Sequence, residues 1–217
     1  MRVLAWYTKN TEYEKIFKDK LLPSLEKFDI DYIVREVDRV GSWKQNVALK
    51  PKIIKEALEA IKEPILCLDV DCEIKKYPHI FEQWSPRNFQ GELIIRTQEL
   101  RPPNPDLACH ILSWKTWYNR PYATETELLS GTIWLNYSEK VLELCDLWYK
   151  TAMETGMWEQ KCLEAIIKKG DYDLYELSVE YCYIASMPGG AKPFVKCNPT
   201  IVHYQASRRM KKEMRKY

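Results

Sequence analysis

No stretch of this 217-residue sequence approaches the ~18 consecutive apolar residues of a membrane-spanning helix. No integral membrane segment is therefore expected. The opening run, Met1-Arg2-Val3-Leu4-Ala5-Trp6-Tyr7, is too short for a secretory leader and reaches polar residues at once. Cysteine motifs are missing as well. There are seven cysteines (Cys67, Cys72, Cys109, Cys145, Cys162, Cys182 and Cys197), an odd number with no C-x-x-C pair, which argues against a disulfide framework and a structural zinc site. Several sit among apolar residues and read as small buried hydrophobes. A reducing, cytoplasmic setting is the expectation. Net charge is only +2, too little to make nucleic acid an obligatory partner. The one local bias is Arg208, Arg209, Lys211, Lys212, Arg215 and Lys216 near the end. It reads as a solvated tail, or as a contact for a diphosphate, an anionic acceptor or a membrane surface.

What is present is ordinary globular composition, 46% apolar and 29% charged, without internal repeats or low-complexity segments. Aromatics are plentiful, with eight Trp and fourteen Tyr, enough to stack on rings although most are expected in the core. Short apolar runs alternate with helical patterns. Arg2 to Tyr7 reads as a strand. Thr11 and Glu14 suggest a capping box opening a helix with Ile16, Phe17, Leu21 and Leu25 inward, bent or interrupted at Pro23. Tyr32 to Val37 is a second strand. Pro51 sits where a first-turn proline belongs, ahead of a stripe of Ile53, Ile54, Ala57, Leu58 and Ile61. Ile65 to Leu68 has the unbroken apolar character of a strand buried on both faces. Glu92 to Thr97 and Leu128 to Leu135 read as strands. Ser138 caps a helix carrying Val141, Leu144, Cys145, Trp148 and Ala152, and another helix runs from Trp158 to Lys168. Arg101 to Glu127 shows no clear periodicity. The alternation implies an α/β fold, a mainly parallel central sheet with helices on both faces, in one domain.

The most informative segment is Pro64-Ile65-Leu66-Cys67-Leu68-Asp69-Val70-Asp71. A buried strand ends in two aspartates one residue apart. On a strand, positions i and i+2 share a face, so both carboxylates are expected to point together while Val70 points away. Ligands of open parallel sheets bind beyond the carboxyl ends of strands. Paired carboxylates there repel one another and are costly to desolvate, which a divalent cation relieves. Mg²⁺ and Mn²⁺ suit carboxylate oxygens together with substrate phosphates and water. The plainer reading is an acidic turn.

With that D-x-D in place, the chain resembles glycosyltransferases of the type A fold, the nucleotide-diphospho-sugar transferases. The resemblance implies a single-domain Rossmann-like fold with a nucleotide-binding half over residues 1–100. Residues 101–217 would form an acceptor-binding half ending in the basic tail. It makes Asp71 and the late His203 ligands of Mn²⁺ or Mg²⁺, with Asp69 reaching the metal or the donor's ribose. It places Tyr7 and Thr8 against the nucleotide and Lys50 beside the diphosphate. Leu129-Ser130-Gly131-Thr132 matches a family turn, Asn-Ser-Gly, without its Asn. Ser130 and Gly131 then face the donor sugar. Glu159 and Gln160 match an acid-Gln pair, with Glu replacing the commoner Asp, and Arg208 adds charge near the leaving group.

From the residues alone each assignment has a plainer counterpart. His203, one of three histidines with His79 and His110, could be an ordinary core residue. Gly131 could mark a strand bulge. Glu159 and Gln160 could serve only the helix start. Trp43, Trp114, Trp117 and Trp134 could be core or stacking surfaces, and Gly189-Gly190 an ordinary turn or a closing loop. The expected chemistry is transfer from a nucleotide-diphosphate donor, a UDP-sugar foremost, to an acceptor hydroxyl. Asp71 acts through the cation, and Glu159 as base or as acceptor-orienting group. Acceptors left open are a glycan, a lipid-linked sugar, a protein or a modified nucleic-acid base. The rivals are a nucleotidyltransferase, disfavoured because Thr8-Lys9-Asn10-Thr11 has no glycine, and a non-catalytic nucleotide- or carbohydrate-binding module.

Overall fold

The computed structural model describes residues 2–85, 104–185 and 193–206. Its centre is a six-stranded sheet in the order β2-β1-β3-β6-β5-β7, built from β1 (Arg2–Thr8), β2 (Tyr32–Val37), β3 (Ile65–Leu68), β5 (Leu107–Ser113), β6 (Thr126–Leu135) and β7 (Leu174–Glu176). β1 runs parallel to β2 and β3, and β5 parallel to β7; β6 lies antiparallel to both of its neighbours. The sheet is thus mixed, with β6 alone reversed.

Period-two burial sorts the side chains onto two faces. Leu4, Cys67, Ile133 and Leu135 point to one side, under α4 (Lys50–Ile61), α6 (Glu139–Thr155) and α7 (Glu159–Lys169). Val3, Ala5, Leu66, Leu68 and Trp134 point to the other. There they meet Phe17, Leu21 and Leu25 together with Phe81 and Trp84 of a short 3₁₀ helix, His79–Trp84. β3 is buried at all four positions, as its composition requires.

Helix starts follow local chemistry. Ser138 accepts from the Val141 N–H and caps α6. Thr11 caps α1 (Glu12–Ile16) through the Tyr13 N–H, but no capping box with Glu14 forms; the box belongs to Ser42 and Gln45 at α3 (Trp43–Val47). The chain runs from α1 through a π-helical turn, Phe17–Leu21, into α2 (Leu22–Lys27), with Pro23 in the first turn of α2. Pro23 is thus tolerated in a helix whose spacing has just widened.

One expectation is corrected. Residues 101–127 contain β5, missed because His110 interrupts its apolar run and a register shift falls between Cys109 and His110. A short α5, Trp114–Trp117, follows it. The expected strand at Glu92 to Thr97, the Gly189-Gly190 loop, Arg208 and the basic tail lie outside the described residues. Among the described residues no helix is long and apolar enough to cross a membrane.

A second, three-stranded sheet completes the architecture. β4 (Cys72–Ile74), β8 (Tyr183–Ile184) and β9 (Ile201–His203) join in the order β4-β9-β8. Antiparallel pairing sets Cys72 opposite His203. The small sheet thereby ties the segment just after β3 to one 131 residues further along.

Candidate active site

Beyond Asp69, whose N–H still donates to the Gly131 carbonyl, the chain leaves the sheet. The Cys72 N–H donates to the Asp69 carbonyl at 3.0 Å, so Asp69 to Cys72 form a turn. The two aspartates therefore do not share a strand face. A turn redirects them separately: Asp71 is 8% exposed, whereas the Asp69 side chain is 44% exposed. Val70 does point away, packing with Leu66 and Leu68 in the core while part of it borders a cavity. The expectation that strand alternation aligns the carboxylates fails. They converge for another reason, the turn.

That cavity is lined by Tyr7, Thr8, Lys50, Asp69, Asp71, Ser130, Gly131, Glu159, Gln160 and His203, which is every candidate residue among those described. Several elements carry them in. Tyr7 and Thr8 end β1, Lys50 opens α4, Ser130 and Gly131 lie within β6, and Glu159 and Gln160 open α7. Tyr7 is turned from the cavity at its tip, its hydroxyl donating to Glu36 at 2.5 Å. Burial, reinforced by that carboxylate, pushes the phenol up to about 12. Of the tryptophans, Trp117 and Trp134 are core, and Trp43 lines the cavity.

Gly131 is the close-approach point. The Asp69 N–H donates to its carbonyl at 2.9 Å, continuing the β3–β6 ladder one residue beyond the strand. A Cβ built there would stand 2.6 Å from His203 Cε1, 2.8 Å from His203 Nδ1 and 3.2 Å from Asp69 Oδ2. The imidazole and carboxylate thus close in on the space that glycine leaves. Gly131→Ala should cost about 2 kcal/mol through overpacking against a buried ring and displace His203. Urea denaturation and Mn²⁺ titration of the variant check both effects; unchanged stability and binding would remove Gly131 from this role.

His203 is 2% exposed, with Nε2 2.8 Å from Thr132 Oγ1. Burial lowers it to about 4 against the opposing pull of Asp69, so it is a neutral imidazole at pH 7. Asp71 accepts from the Ala206 N–H at 2.6 Å. Its carboxyl is raised to about 6, first by burial and then by Asp69. A buried acid with a second, half-exposed acid nearby and a neutral imidazole beside it is a donor set that a divalent cation would relieve. Asp71, Cys72 and His203 bring donor atoms within 4.8 Å of one another, and the Asp69 carboxylate borders the same space beside Gly131.

Lys50 departs from its expected role. It is 2% exposed, and its Nζ donates to Asp69 Oδ1 at 2.7 Å and to the Ser130 carbonyl at 2.6 Å. Burial opposes its charge, but Asp69 more than offsets that and holds the ammonium above the usual lysine range. It orients Asp69 and β6 rather than standing free for a diphosphate. Glu159 is also buried. Its Oε1 accepts from Ser130 Oγ at 3.0 Å, and Gln160 Oε1 accepts from the Ser130 N–H at 3.3 Å. Glu159 Oε2 has no hydrogen-bond partner among the described residues. Burial raises its carboxyl. Both α7 side chains therefore fasten Ser130, more than a helix start demands.

Sequence reasoning missed Cys72. Its Sγ lies 3.2 Å from His203 Nδ1, and burial followed by Asp71 pushes the thiol well above the usual cysteine range. The residue reads as a small hydrophobe because only the β4–β9 pairing shows what it faces.

This arrangement, a Rossmann-like mixed sheet with acids at the edge of its third strand, is a glycosyltransferase fold. Neither a protein-family model nor a curated protein matches the sequence. Solved structures do match in fold. One is a glycosyltransferase involved in glycosylation of the major capsid of PBCV-1, at TM-score 0.60 and 15% identity over 99% of this chain and 98% of that one. Another is mouse xyloside xylosyltransferase 1, at TM-score 0.54 and 11% identity over 95% and 98%. A third is the bifunctional glycosyltransferase WbbM, at TM-score 0.56 and 11% identity; 95% of this chain spans 46% of that one.

Proposed function

We propose that the protein is a metal-dependent glycosyltransferase that takes a sugar from a nucleotide-diphosphate donor, a UDP-sugar foremost, and passes it to an acceptor hydroxyl. One observation carries this reading: Asp71 and His203 bring donor atoms within 4.8 Å of one another, and the Asp69 carboxylate meets the His203 ring around Gly131, in a fold shared with solved glycosyltransferases. Mn²⁺ or Mg²⁺ held there supplies Lewis acidity that offsets charge on the departing diphosphate.

The chain's own groups prepare the site. Lys50 fixes Asp69, and Thr132 fixes the His203 ring. Glu159 and Gln160 hold Ser130 and, through it, the β6 backbone beside Gly131. Glu159 Oε1 accepts from Ser130 Oγ and so orients the sugar-facing strand; the residue also lines the cavity, where it serves as base or as acceptor-orienting group. Tyr7 and Thr8 form the wall for the nucleotide. The enclosed volume, about 190 Å³, is below the ~300–1,000 Å³ of a drug-sized pocket, so it holds part of the donor and the rest extends along the open groove. The structural neighbours have different stated roles, and fold alone does not select an acceptor. Glycan, lipid-linked sugar, protein and modified base all remain candidates.

The test is a panel of nucleotide-diphosphate sugars incubated with the protein and Mn²⁺ or Mg²⁺, reading release of nucleoside diphosphate. Donor-selective turnover that stops with chelator supports the proposal. Turnover unaffected by chelator, or tight donor binding without any turnover, counts against it.

A further inference from the structure

The small sheet sets three chemically different donors side by side. One atom each from the Asp71 carboxylate, the Cys72 thiol and the His203 ring lie within 4.8 Å of one another, and all three residues are buried. Cys72 Sγ to His203 Nδ1 is 3.2 Å. In tetrahedral zinc sites, with Zn–S near 2.3 Å and Zn–N near 2.0–2.1 Å, those two atoms stand about 3.5 Å apart. The observed spacing is a little shorter, and ligation needs a turn of the ring together with an outward shift. Thr132 Oγ1, 2.8 Å from Nε2, completes the arrangement. Cys72 Sγ lies 3.4 Å from Nε2 as well, so it stands over the imidazole, and the ring must turn for a nitrogen lone pair to share a cation with the thiol. Hard cations pass over a thiol, whereas softer ones select it.

We propose that Asp71, Cys72 and His203 form a thiophilic cation site, suited to Zn²⁺ or Cd²⁺. It shares two ligands with the proposed Mn²⁺ site, so the two ions exclude each other. On binding, the Cys72 S–H bond breaks, the sulfur–metal bond forms, and the proton passes to buffer. Zn²⁺ is then a competitor of Mn²⁺ rather than a substitute for it. The site borrows Asp71 and His203 from the glycosyltransferase reading but does not depend on transfer activity.

Zinc-edge X-ray absorption on the full chain with one equivalent of Zn²⁺ tests this without any variant. One sulfur neighbour near ~2.3 Å, among nitrogen and oxygen, is expected; a shell of nitrogen and oxygen alone overturns the proposal. Competition with a chromophoric chelator adds a second measure. Cys72→Ser should weaken Zn²⁺ binding more than the roughly 10-fold typical of losing an outer contact, and shift Mn²⁺ affinity less than about threefold. Cys197→Ser, at a partly exposed thiol elsewhere, should leave Zn²⁺ affinity unchanged; equal effects of the two variants refute the site. A sulfur shell without nucleotide-sugar turnover would keep this site and dismiss glycosyl transfer. Turnover without the sulfur would do the reverse.

Discussion

Asp71→Asn should lower metal-dependent donor turnover by about 1,000-fold or more, equivalent to about 4 kcal/mol of transition-state stabilisation, while the protein stays folded. The amide retains an oxygen to accept from the Ala206 N–H, now 2.6 Å from the Asp71 carboxylate, so the local backbone keeps its partner. What disappears is the negative charge. Burial and the nearby Asp69 already press against that charge in the metal-free protein, raising the carboxyl to about 6. A neutral side chain removes that conflict at pH 7. Thermal stability without metal should therefore hold or rise while Mn²⁺ affinity collapses. Calorimetric Mn²⁺ titration, thermal melts and donor turnover on one preparation separate the two effects. Turnover and Mn²⁺ affinity both within about 10-fold of wild type would mean that this carboxylate holds no cation.

Removing Asp69 should reverse the stability pattern. Lys50 has a side chain 3% exposed, whereas that of Asp69 is 44% exposed. In Asp69→Ala the buried ammonium loses its counter-charge, at about 3 kcal/mol, the low end for a broken buried pair; Glu159 still attracts it, hence the low end. In Lys50→Met the stranded partner is Asp69, which water can reach. The cost falls to roughly 1 kcal/mol, mainly the lost donor to the Ser130 carbonyl. The double variant should be more stable than Asp69→Ala alone, because it no longer buries a lone cation. Urea midpoints of the three proteins decide the matter. A cost for Asp69→Ala equal to or below that of Lys50→Met would show that Lys50 is not held by this pair.

Much of this was written locally in the chain. The unbroken apolar run Ile65 to Leu68, Ser138 ahead of an amphipathic stripe and Pro51 in a first turn each announce their elements, because short-range sterics and burial settle them. The D-x-D announces a site at a sheet edge. What local pattern could not show was tertiary. Strand alternation offers a wrong reason for the convergence of Asp69 and Asp71, since the chain turns immediately after Leu68. The charge of Lys50 is plain in sequence, but its burial against β6 is not. β5 hides behind His110 and a register shift. β4 and β9 are three residues each, too short for any periodicity, and only their pairing reveals that Cys72 faces His203.

That pairing also bears on when the protein becomes active. His203 reaches Cys72 across 131 residues, and contacts of such separation form late because a long loop must close first. The nucleotide-facing strands β1 to β3 draw on the first 68 residues and can organise earlier. A chain still being synthesised, or one arrested before its last strand docks, would carry a nearly finished scaffold with an imidazole missing from its metal cradle. Under the proposed function, maturation of the enzyme and docking of β9 are then one event, and half-made copies stay chemically silent.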